Sequence, residues 1–242
     1  MSRFILGAFL YFCFIPLSLA QDFSVGVRGG INQYSIGDIN SRGGSFESGH
    51  PDEVFSPKKK IGYQFGAYVN IQFNKFFIRP EINYSKSKNS YDFPDKESYW
   101  KSSKIEIPVL FGYEIFKPVS IYAGPIFNFY GDTTLDGVQV TSYSDGGPDL
   151  DDTTMNLVFG VMAKYGRFGL DLRYEYGLKE TEEELLDIIH SSYGVNLADL
   201  RSYRPGVLSL SLSIDIFRTN PDDIGGLFSG LFRSDHCYCP YN

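Results

Sequence analysis

Eight stretches of the sequence alternate apolar residues with small or polar ones, and each stretch is longer than ten residues. Period-two alternation is the pattern of a β-strand with two different faces. Ordinary globular strands average about five to six residues, whereas strands that cross a membrane need about nine to eleven. The predicted strands are 22–33, 60–73, 75–87, 103–115, 118–130, 154–165, 167–177 and 206–217.

The connections between these strands alternate between short and long. Very short turns lie near residues 74, 117 and 166, and the long polar connections are 34–59, 88–102, 131–153 and 178–205. An up-and-down outer-membrane barrel has short periplasmic turns and longer external loops, whereas Greek-key links would not produce this regularity. The sequence therefore predicts an all-β fold, an eight-stranded antiparallel up-and-down transmembrane β-barrel with long external loops and a short C-terminal tail.

The N-terminal segment has the organisation of a secretory signal peptide. Arg3 precedes the uncharged apolar run 4–17, and small residues at Ser18 and Ala20 suit cleavage before Gln21. An uncleaved membrane anchor is the alternative. After Gln21 no apolar stretch approaches the ~18 residues that a membrane helix needs, so a spanning form must be a closed barrel. We expect a signal peptide at 1–20, an outer-membrane barrel at 21–217 and a periplasmic extension at 218–242.

Alternation alone does not say which face points outward, because a soluble lipocalin-like barrel has the same period with apolar residues inside. The polar face is rich in glycine and serine, which suits a crowded lumen. Aromatic residues cluster towards both ends of the apolar face, as in interfacial girdles. These are Phe73, Phe76, Tyr165 and Phe168 near the short turns, and Tyr63, Tyr84, Phe129 and Tyr176 near the long loops. We therefore predict that the apolar face meets lipid.

The polar face also carries charges of both signs in nearly equal number. They are Arg28, Arg79, Lys104, Lys164 and Arg173 against Glu81, Glu106, Glu114, Asp171, Glu175 and Asp215. Such a set could pair internally, as buried charges require. One hypothesis is a gate, proton path or small-ion conduit. We favour a structural network, because eight strands leave room inside only for side chains.

Four segments resemble the PorT-like outer-membrane β-barrel family of Bacteroidota. In family order, 78–85 reads IRPEINYS, 104–110 reads KIEIPVL, 121–125 reads IYAGP and 172–178 reads LRYEYGL. The resemblance implies an eight-stranded outer-membrane barrel. It implies no activity, since one namesake assists type IX protein secretion and most members have no assigned role. The chain departs from the family by continuing to residue 242, and strict alternation places Phe217 inward unless a bulge intervenes.

Candidate catalytic residues are few. His50 and His190 fall in the first and fourth external loops, which become neighbours when the barrel closes, with Asp52 and Asp187 near them in sequence. A membrane hydrolase or acyltransferase site is therefore a hypothesis. No spacing motif supports it, and we predict no catalytic, cofactor-binding or metal-binding residues.

Other polar segments suggest ligands only weakly. The acidic loop 145–152 has oxygen ligands for Ca²⁺ but lacks the EF-hand order, so a solvated loop is favoured. Lys58, Lys59 and Lys60 at the outer rim could touch anionic lipopolysaccharide groups or act as a plain interfacial anchor. The net charge of −7, without a clustered basic face, gives no support for nucleic-acid binding.

The fourth loop and the tail could contact other elements. Leu185, Ile188 and Ile189 have helical spacing, which predicts a short amphipathic helix that caps the lumen or meets a partner. In the tail, Leu227, Phe228, Leu231 and Phe232 share a helical face. Its Cys237 and Cys239 could form a local disulfide, bridge to a partner, or join His236 at a metal.

The sequence thus favours a non-enzymatic outer-membrane barrel, either structural or a component of an envelope or secretion assembly. Its expected partners are outer-membrane lipid and, through the tail or external loops, envelope or secretion-complex proteins. A small-solute conduit is the alternative, and a membrane-embedded enzyme comes third.

Overall fold

The computed structural model describes residues 22–42, 53–144 and 146–219. The predicted signal peptide, the C-terminal tail from residue 220 with its two cysteines, and His50 lie outside these residues. The elements are β1 (Asp22–Ser35), β2 (Ile39–Ser41), β3 (Val54–Phe55), β4 (Lys58–Lys59), β5 (Gly62–Phe73), β6 (Phe76–Asp92), β7 (Glu97–Phe116), β8 (Val119–Leu135), β9 (Thr153–Tyr165), β10 (Phe168–Gly177), β11 (Glu184–Asp187), α1 (His190–Tyr193), β12 (Leu197–Leu200) and β13 (Gly206–Arg218).

Eight long strands close into a ring in which every neighbour is antiparallel. The order is β6-β5-β1-β13-β10-β9-β8-β7, and the pairing of β6 with β7 closes it. The first and last strands meet along their whole length, from Ser35 opposite Gly206 to Ser24 opposite Arg218. The predicted eight-stranded up-and-down barrel is confirmed. Among the described residues, no helix is long and apolar enough to cross a membrane.

The two faces of the barrel wall have opposite chemistry. Along β10 every second residue is buried, so that Asp171, Arg173 and Glu175 point inward while Leu170 and Leu172 are about half exposed. The same alternation holds along β13, where serines face the lumen and leucines face out. A wall that exposes its aliphatic side chains and buries its charged ones fits lipid outside, as predicted.

Strands β6 and β7 extend well beyond the predicted boundaries. The predicted loop 88–102 is instead the outer half of a long hairpin, with cross-strand pairs as far as Asp92 opposite Glu97. This segment alternates too, because Asn89, Tyr91 and Trp100 are buried. Its outward positions are polar because they lie beyond the apolar rows, so a pattern search for membrane strands misses it. β8 likewise runs on to Leu135.

The fourth external loop is not the amphipathic helix that the spacing predicted. Glu184–Asp187 is strand β11, and it pairs with β12 in a four-stranded sheet of order β11-β12-β2-β3 built from the first and fourth loops. Leu186 and Ile188 are fully buried, and Asp187 between them is buried too. The helix prediction was wrong because isolated propensity could not anticipate this long-range pairing. The one short helix in the described part of this loop is α1.

A bulge at the end of the last strand resolves the phase of Phe217. Val25 pairs with Phe217 and Gly26 with Asp215, so Ile216 is the extra residue. Ile216 and Phe217 are consequently both exposed on the outer face. Phe217 therefore points outward, with its ring 6.4 Å from that of Phe23.

Two apolar clusters fill the two ends of the interior. A large outer cluster, which we call the cap core, joins the small sheet to the barrel rim. It contains Tyr34, Ile39, Phe55, Tyr91, Phe93, Trp100, Leu135, Leu186, Ile188, Tyr193, Val195, Ala198, Leu200 and Val207. A smaller cluster lies in the half nearer the short turns and contains Phe77, Leu110, Tyr122, Ile126, Val158 and Met162.

Candidate functional site in the barrel lumen and its two mouths

The charges predicted for the lumen come together in the structure, except Glu114, which lines the cleft beside the short turns. They occupy inward positions of β1, β6, β7, β9, β10 and β13, and Arg79, Lys104, Glu106 and Asp215 are each at most 4% exposed. Arg218, predicted to belong to the tail, is part of the same set because β13 ends on it. The sequence carries a sign of this, because the consecutive apolar residues Ile216 and Phe217 break the alternation. A bulge at Ile216 then returns Arg218 to the inward face.

Glu81 lies at the centre of the lumen and meets three arginines. Arg28 Nη1 and Arg173 Nη1 are 2.8 and 2.9 Å from Glu81 Oε2, and Arg79 Nε is 2.8 Å from Glu81 Oε1. The Glu81 side chain has no exposed area. Three guanidinium groups around one carboxylate leave positive charge that needs a further partner.

Asp171 supplies that partner. Its Oδ2 lies 2.7 Å from Arg173 Nη2 and 3.3 Å from Arg28 Nη2, and the Tyr122 hydroxyl donates to its Oδ1. The Arg79 guanidinium stacks 3.6 Å from the centre of the Tyr68 ring, a contact that stabilises a desolvated cation. We call Arg28, Arg79, Glu81, Asp171 and Arg173 the central network.

A second layer lies nearer the external loops. Lys104 Nζ is 2.7 Å from Glu175 Oε2 and 3.1 Å from Glu106 Oε1. The amides of Asn128 and Asn156 each donate to Glu175 Oε1 at 2.7 Å. Every polar group in this layer therefore has a directed partner, which offsets the cost of removing its charge from water.

A third layer lies at the mouth beside the short turns. Asp215 Oδ2 accepts Lys164 Nζ at 2.7 Å and Arg218 Nε at 2.6 Å. The Tyr68 hydroxyl donates to Asp215 Oδ1 at 2.7 Å. Because Tyr68 also carries the Arg79 guanidinium on its ring, this layer and the central network share a side chain.

Glycines in the wall leave room for these groups at two positions. A side chain at Gly160 would overlap the Tyr122 hydroxyl that serves Asp171, and one at Gly112 would overlap the buried Phe77 ring. As predicted for a crowded lumen, these glycines allow large side chains to lie close against the barrel wall.

Above the lumen, the cap core covers the outer mouth. The rings of Tyr34 and Trp100 stack with centroids 5.0 Å apart, and the hydroxyls of Tyr34 and Tyr130 are 3.2 Å apart. Tyr91 donates to the Gly37 carbonyl at 2.6 Å, and burial raises the pKa of Tyr91. The cap is therefore tied to the barrel rim by both ring packing and hydrogen bonds.

Two clefts open at the ends of the barrel. The outer cleft, of about 290 Å³, lies between the third and fourth loops and reaches Tyr130 and Asn156 of the lumen wall. The inner cleft, of about 630 Å³, lies among the short turns and reaches Phe77 and Met162. The central network and the smaller apolar cluster lie between the bottoms of the two clefts.

Of the residues considered for a catalytic site, Asp187 and His190 lie in the described part of the chain, where no hydrogen bond or ion pair joins them. Asp187 accepts hydrogen bonds from Gln139 and Thr141 at 3.1 and 2.7 Å. His190 begins α1, and no described residue contacts its Nε2 atom by a hydrogen bond. His50 and Asp52 lie outside the described residues.

The other ligand candidates have local partners or lie in the solvated rim. In the acidic loop, Asp151 pairs with Lys179 at 2.8 Å. No group of three or more His, Cys, Asp or Glu side chains suited to a metal occurs within 22–42, 53–144 and 146–219. Lys58 and Lys59 form β4, which pairs with the outer end of β6.

The closed ring, the lipid-type outer face and the lumen of paired charges define an integral β-barrel of the outer membrane. The sequence matches the outer membrane protein beta-barrel domain family over residues 19–182, and the chain belongs to this family. It is accordingly located in the outer membrane.

Solved structures of similar fold include other small barrels. Neisserial surface protein A is 16% identical, with a TM-score of 0.42, and the match covers 79% of this chain and 97% of that one. Ail, the attachment invasion locus protein of Yersinia pestis, is 14% identical, with a TM-score of 0.33 and coverage of 81% and 97%. The outer membrane protein AlkL in lipid bilayers is 11% identical, with a TM-score of 0.36 and coverage of 79% and 90%. No curated protein matches the sequence significantly.

Proposed function

We propose that this chain is a PorT-like barrel with a sealed lumen, which acts without catalysis as a structural protein or as a component of an envelope or secretion assembly. The observation that carries the proposal is the central network. Glu81 on β6 and Asp171 on β10 hold Arg28 and Arg173 across the lumen. Charges fixed in this way cannot line an open aqueous path.

The four family-like segments support the PorT-like assignment, because each contributes inward residues to the lumen layers. The first supplies Arg79 and Glu81, the second Lys104 and Glu106, the third Tyr122, and the fourth Arg173 and Glu175. The four motifs thus all supply side chains to the charged layers of the lumen.

In this proposal the parts that meet partners are the external cap and the chain beyond Thr219. The cap carries exposed apolar side chains such as Val140 and Tyr143, which are 76% and 66% exposed. Thr219 is the last described residue, and its backbone N–H donates to the Phe23 carbonyl at 2.9 Å. The barrel then serves as a membrane anchor for the external cap and for the chain beyond Thr219.

Single-channel recording tests the sealed lumen. The purified full chain, inserted into planar bilayers and checked for folding by its heat-modifiable gel mobility, is expected to give no steady conductance. A steady step of defined size would instead support the second candidate, a small-solute conduit. That candidate is favoured by the outer cleft, which reaches down to Asn156.

Affinity purification from native membranes tests the assembly role. A chain that ends after Thr219 keeps the Phe23 contacts and the Arg218–Asp215 ion pair, so it is expected to fold. Loss of a co-purifying envelope protein from this variant supports a docking tail. A partner lost only on changing Tyr143 to Ala would place the contact on the cap.

An enzymatic role has a direct test as well. Hydrolase and acyltransferase assays with the intact protein are expected to show no turnover above that of the H190A variant. Activity that disappears in this variant would contradict the non-enzymatic proposal.

A further inference from the structure

The outer face of β5, β6 and β7 changes character in an ordered way towards the external side. The Phe65 and Tyr84 rings lie side by side, with centroids 5.4 Å apart, in one row. In the next row Tyr63 is opposite Lys86, and in the row above it Lys88 is opposite Lys101. Rows on one face of a strand follow each other by about 7 Å. The lysines therefore stand directly beyond the aromatic edge of the lipid-facing surface.

This sector has an excess of positive charge among the described residues. Its outer end carries seven lysines against five carboxylates, namely Lys58, Lys59, Lys60, Lys86, Lys88, Lys96 and Lys101 against Asp92, Asp95, Glu97, Asp132 and Asp136. Three of these carboxylates, Asp92, Glu97 and Asp136, pair with Lys58, Lys60 and Lys101 respectively. Lys86 and Lys88 have no carboxylate partner within the described parts of the chain.

The pair of Lys88 and Lys101 is electrostatically unfavourable by itself. The two residues are directly opposite on the same face, and like charges in that position destabilise a sheet. Both ammonium groups approach the Tyr99 ring, at 3.9 and 5.9 Å from its centre. Tyr99 thus gathers two cations at one point. Because Asp136 pairs with Lys101, Lys88 is the cation of this pair that an external anion would neutralise.

Among the described residues, the outer end of the opposite side of the barrel differs in this respect. Near the outer ends of β9 and β10, Lys179 pairs with Asp151 and Arg204 pairs with Glu180. The cations there already have anionic partners in the protein. A ligand that needs free ammonium groups would therefore select the β5–β7 sector.

We propose that Lys86 and Lys88, with Lys101 beside them in its pair with Asp136, bind the phosphate of a phosphorylated glycolipid in the outer leaflet; we call these three residues the lysine row. Lysine is a common phosphate ligand, and its long stem reaches from an apolar surface to a polar headgroup. Beneath the row, Phe65 and Ile105, and Ile82 one row further down, are 54%, 46% and 56% exposed respectively. One amphiphile fills both surfaces, with its phosphate on the lysines and its acyl chains along these side chains, whereas a free phosphate would use only the lysines.

The test measures binding of phosphorylated lipid A to the full chain in detergent, by fluorescence or native mass spectrometry. Changing Lys86 and Lys88 to Gln is expected to weaken binding by about tenfold or more, because two charge-assisted contacts are lost. Restoring both charges as Arg is expected to recover it. The matched control changes Lys75 and Lys117 to Gln, since both are exposed in the opposite, short turns.

Three results would overturn the proposal. Equal affinity of the K86Q/K88Q variant and the unchanged protein would show that the row is a plain interfacial anchor. Equal binding of enzymatically dephosphorylated lipid A would remove the phosphate from the contact. Full competition by millimolar inorganic phosphate would show a site for the free anion rather than for the lipid. Heat-modifiable mobility confirms that each variant is folded.

Discussion

Arg173 on β10 and Glu81 on β6 face each other across the lumen, with Arg173 Nη1 2.9 Å from Glu81 Oε2. The same carboxylate also holds Arg28 and Arg79, so one side chain contacts cations from three strands. Removing charge at this point leaves arginines buried without their partner, which is costlier than losing the attraction alone.

We therefore expect Glu81→Gln to destabilise the barrel by about 3–5 kcal/mol. Unfolding by urea in lipid vesicles, followed by tryptophan fluorescence, measures the loss. The matched control is Glu183→Gln, whose Arg201 partner is exposed and whose ion pair contributes about 0–1 kcal/mol. Similar losses in the two variants would show that the central network does not support the fold.

The cap depends on Trp100, which is 1% exposed and stacks on Tyr34. Trp100→Ala is expected to cost about 3–5 kcal/mol in the cap, because a large buried ring leaves a cavity. Limited proteolysis should then cut between residues 184 and 200, while the barrel strands stay protected. Tyr143→Ala, at an exposed position, is the control. An unchanged digestion pattern for the Trp100→Ala variant would show that the stability of the cap does not depend on Trp100.

Glu97 provides a pH-dependent contact at the outer end of the long hairpin. The neighbouring Ser90 hydroxyl, the Tyr99 hydroxyl and the Lys60 ammonium lower the pKa of Glu97 from 4.5 to about 2. A lowered pKa in the folded state means that this contribution to stability is fully present above pH 4.5 and is lost as the pH falls towards 2.

Two variants check this assignment. Glu97→Gln is expected to weaken the hairpin tip at neutral pH and to abolish its loss of stability between pH 4.5 and 2. Amide hydrogen exchange at residues 88–101 measures the effect. Glu53→Gln, in the first external loop, serves as the carboxylate control. A tip that responds to acid equally with and without Glu97 would contradict the assigned pKa.

Much of the barrel follows from the sequence because its alternation is local. The starts and ends of β9, β10 and β13 lie within one residue of those predicted. Inward charges such as Glu81 and Arg173 were also identifiable, since their phase is fixed by the apolar residues between them. Their mutual contacts were not, because they depend on the shear between distant strands.

The cap could not be predicted in the same way. Leu186 and Ile188 have a pattern compatible with either a helix or a strand over so short a length. The pairing of β11 with β12 and of β12 with β2 decides between them, and β2 lies far away in the chain. The lysine row was missed for a related reason, because polar alternation beyond the apolar belt resembles a loop.

The last prediction concerns closure of the ring. The bulge at Ile216 turns Phe217 outward beside Phe23. Phe23 is held in place by Thr219, because its backbone N–H donates to the Thr219 hydroxyl and its carbonyl accepts from the Thr219 N–H. Phe217→Ala is expected to weaken the pairing of the first and last strands by about 1 kcal/mol, through loss of an aromatic contact. Because this pairing completes the barrel, the rate of folding into lipid vesicles should fall as well, whereas Phe217→Tyr should fold normally.

Phe76→Ala removes a similar contact, with Tyr113, from a local hairpin, so it should lower stability without the same kinetic defect. Equal folding rates for the two alanine variants would show that the terminal aromatic residue has no special part in closure.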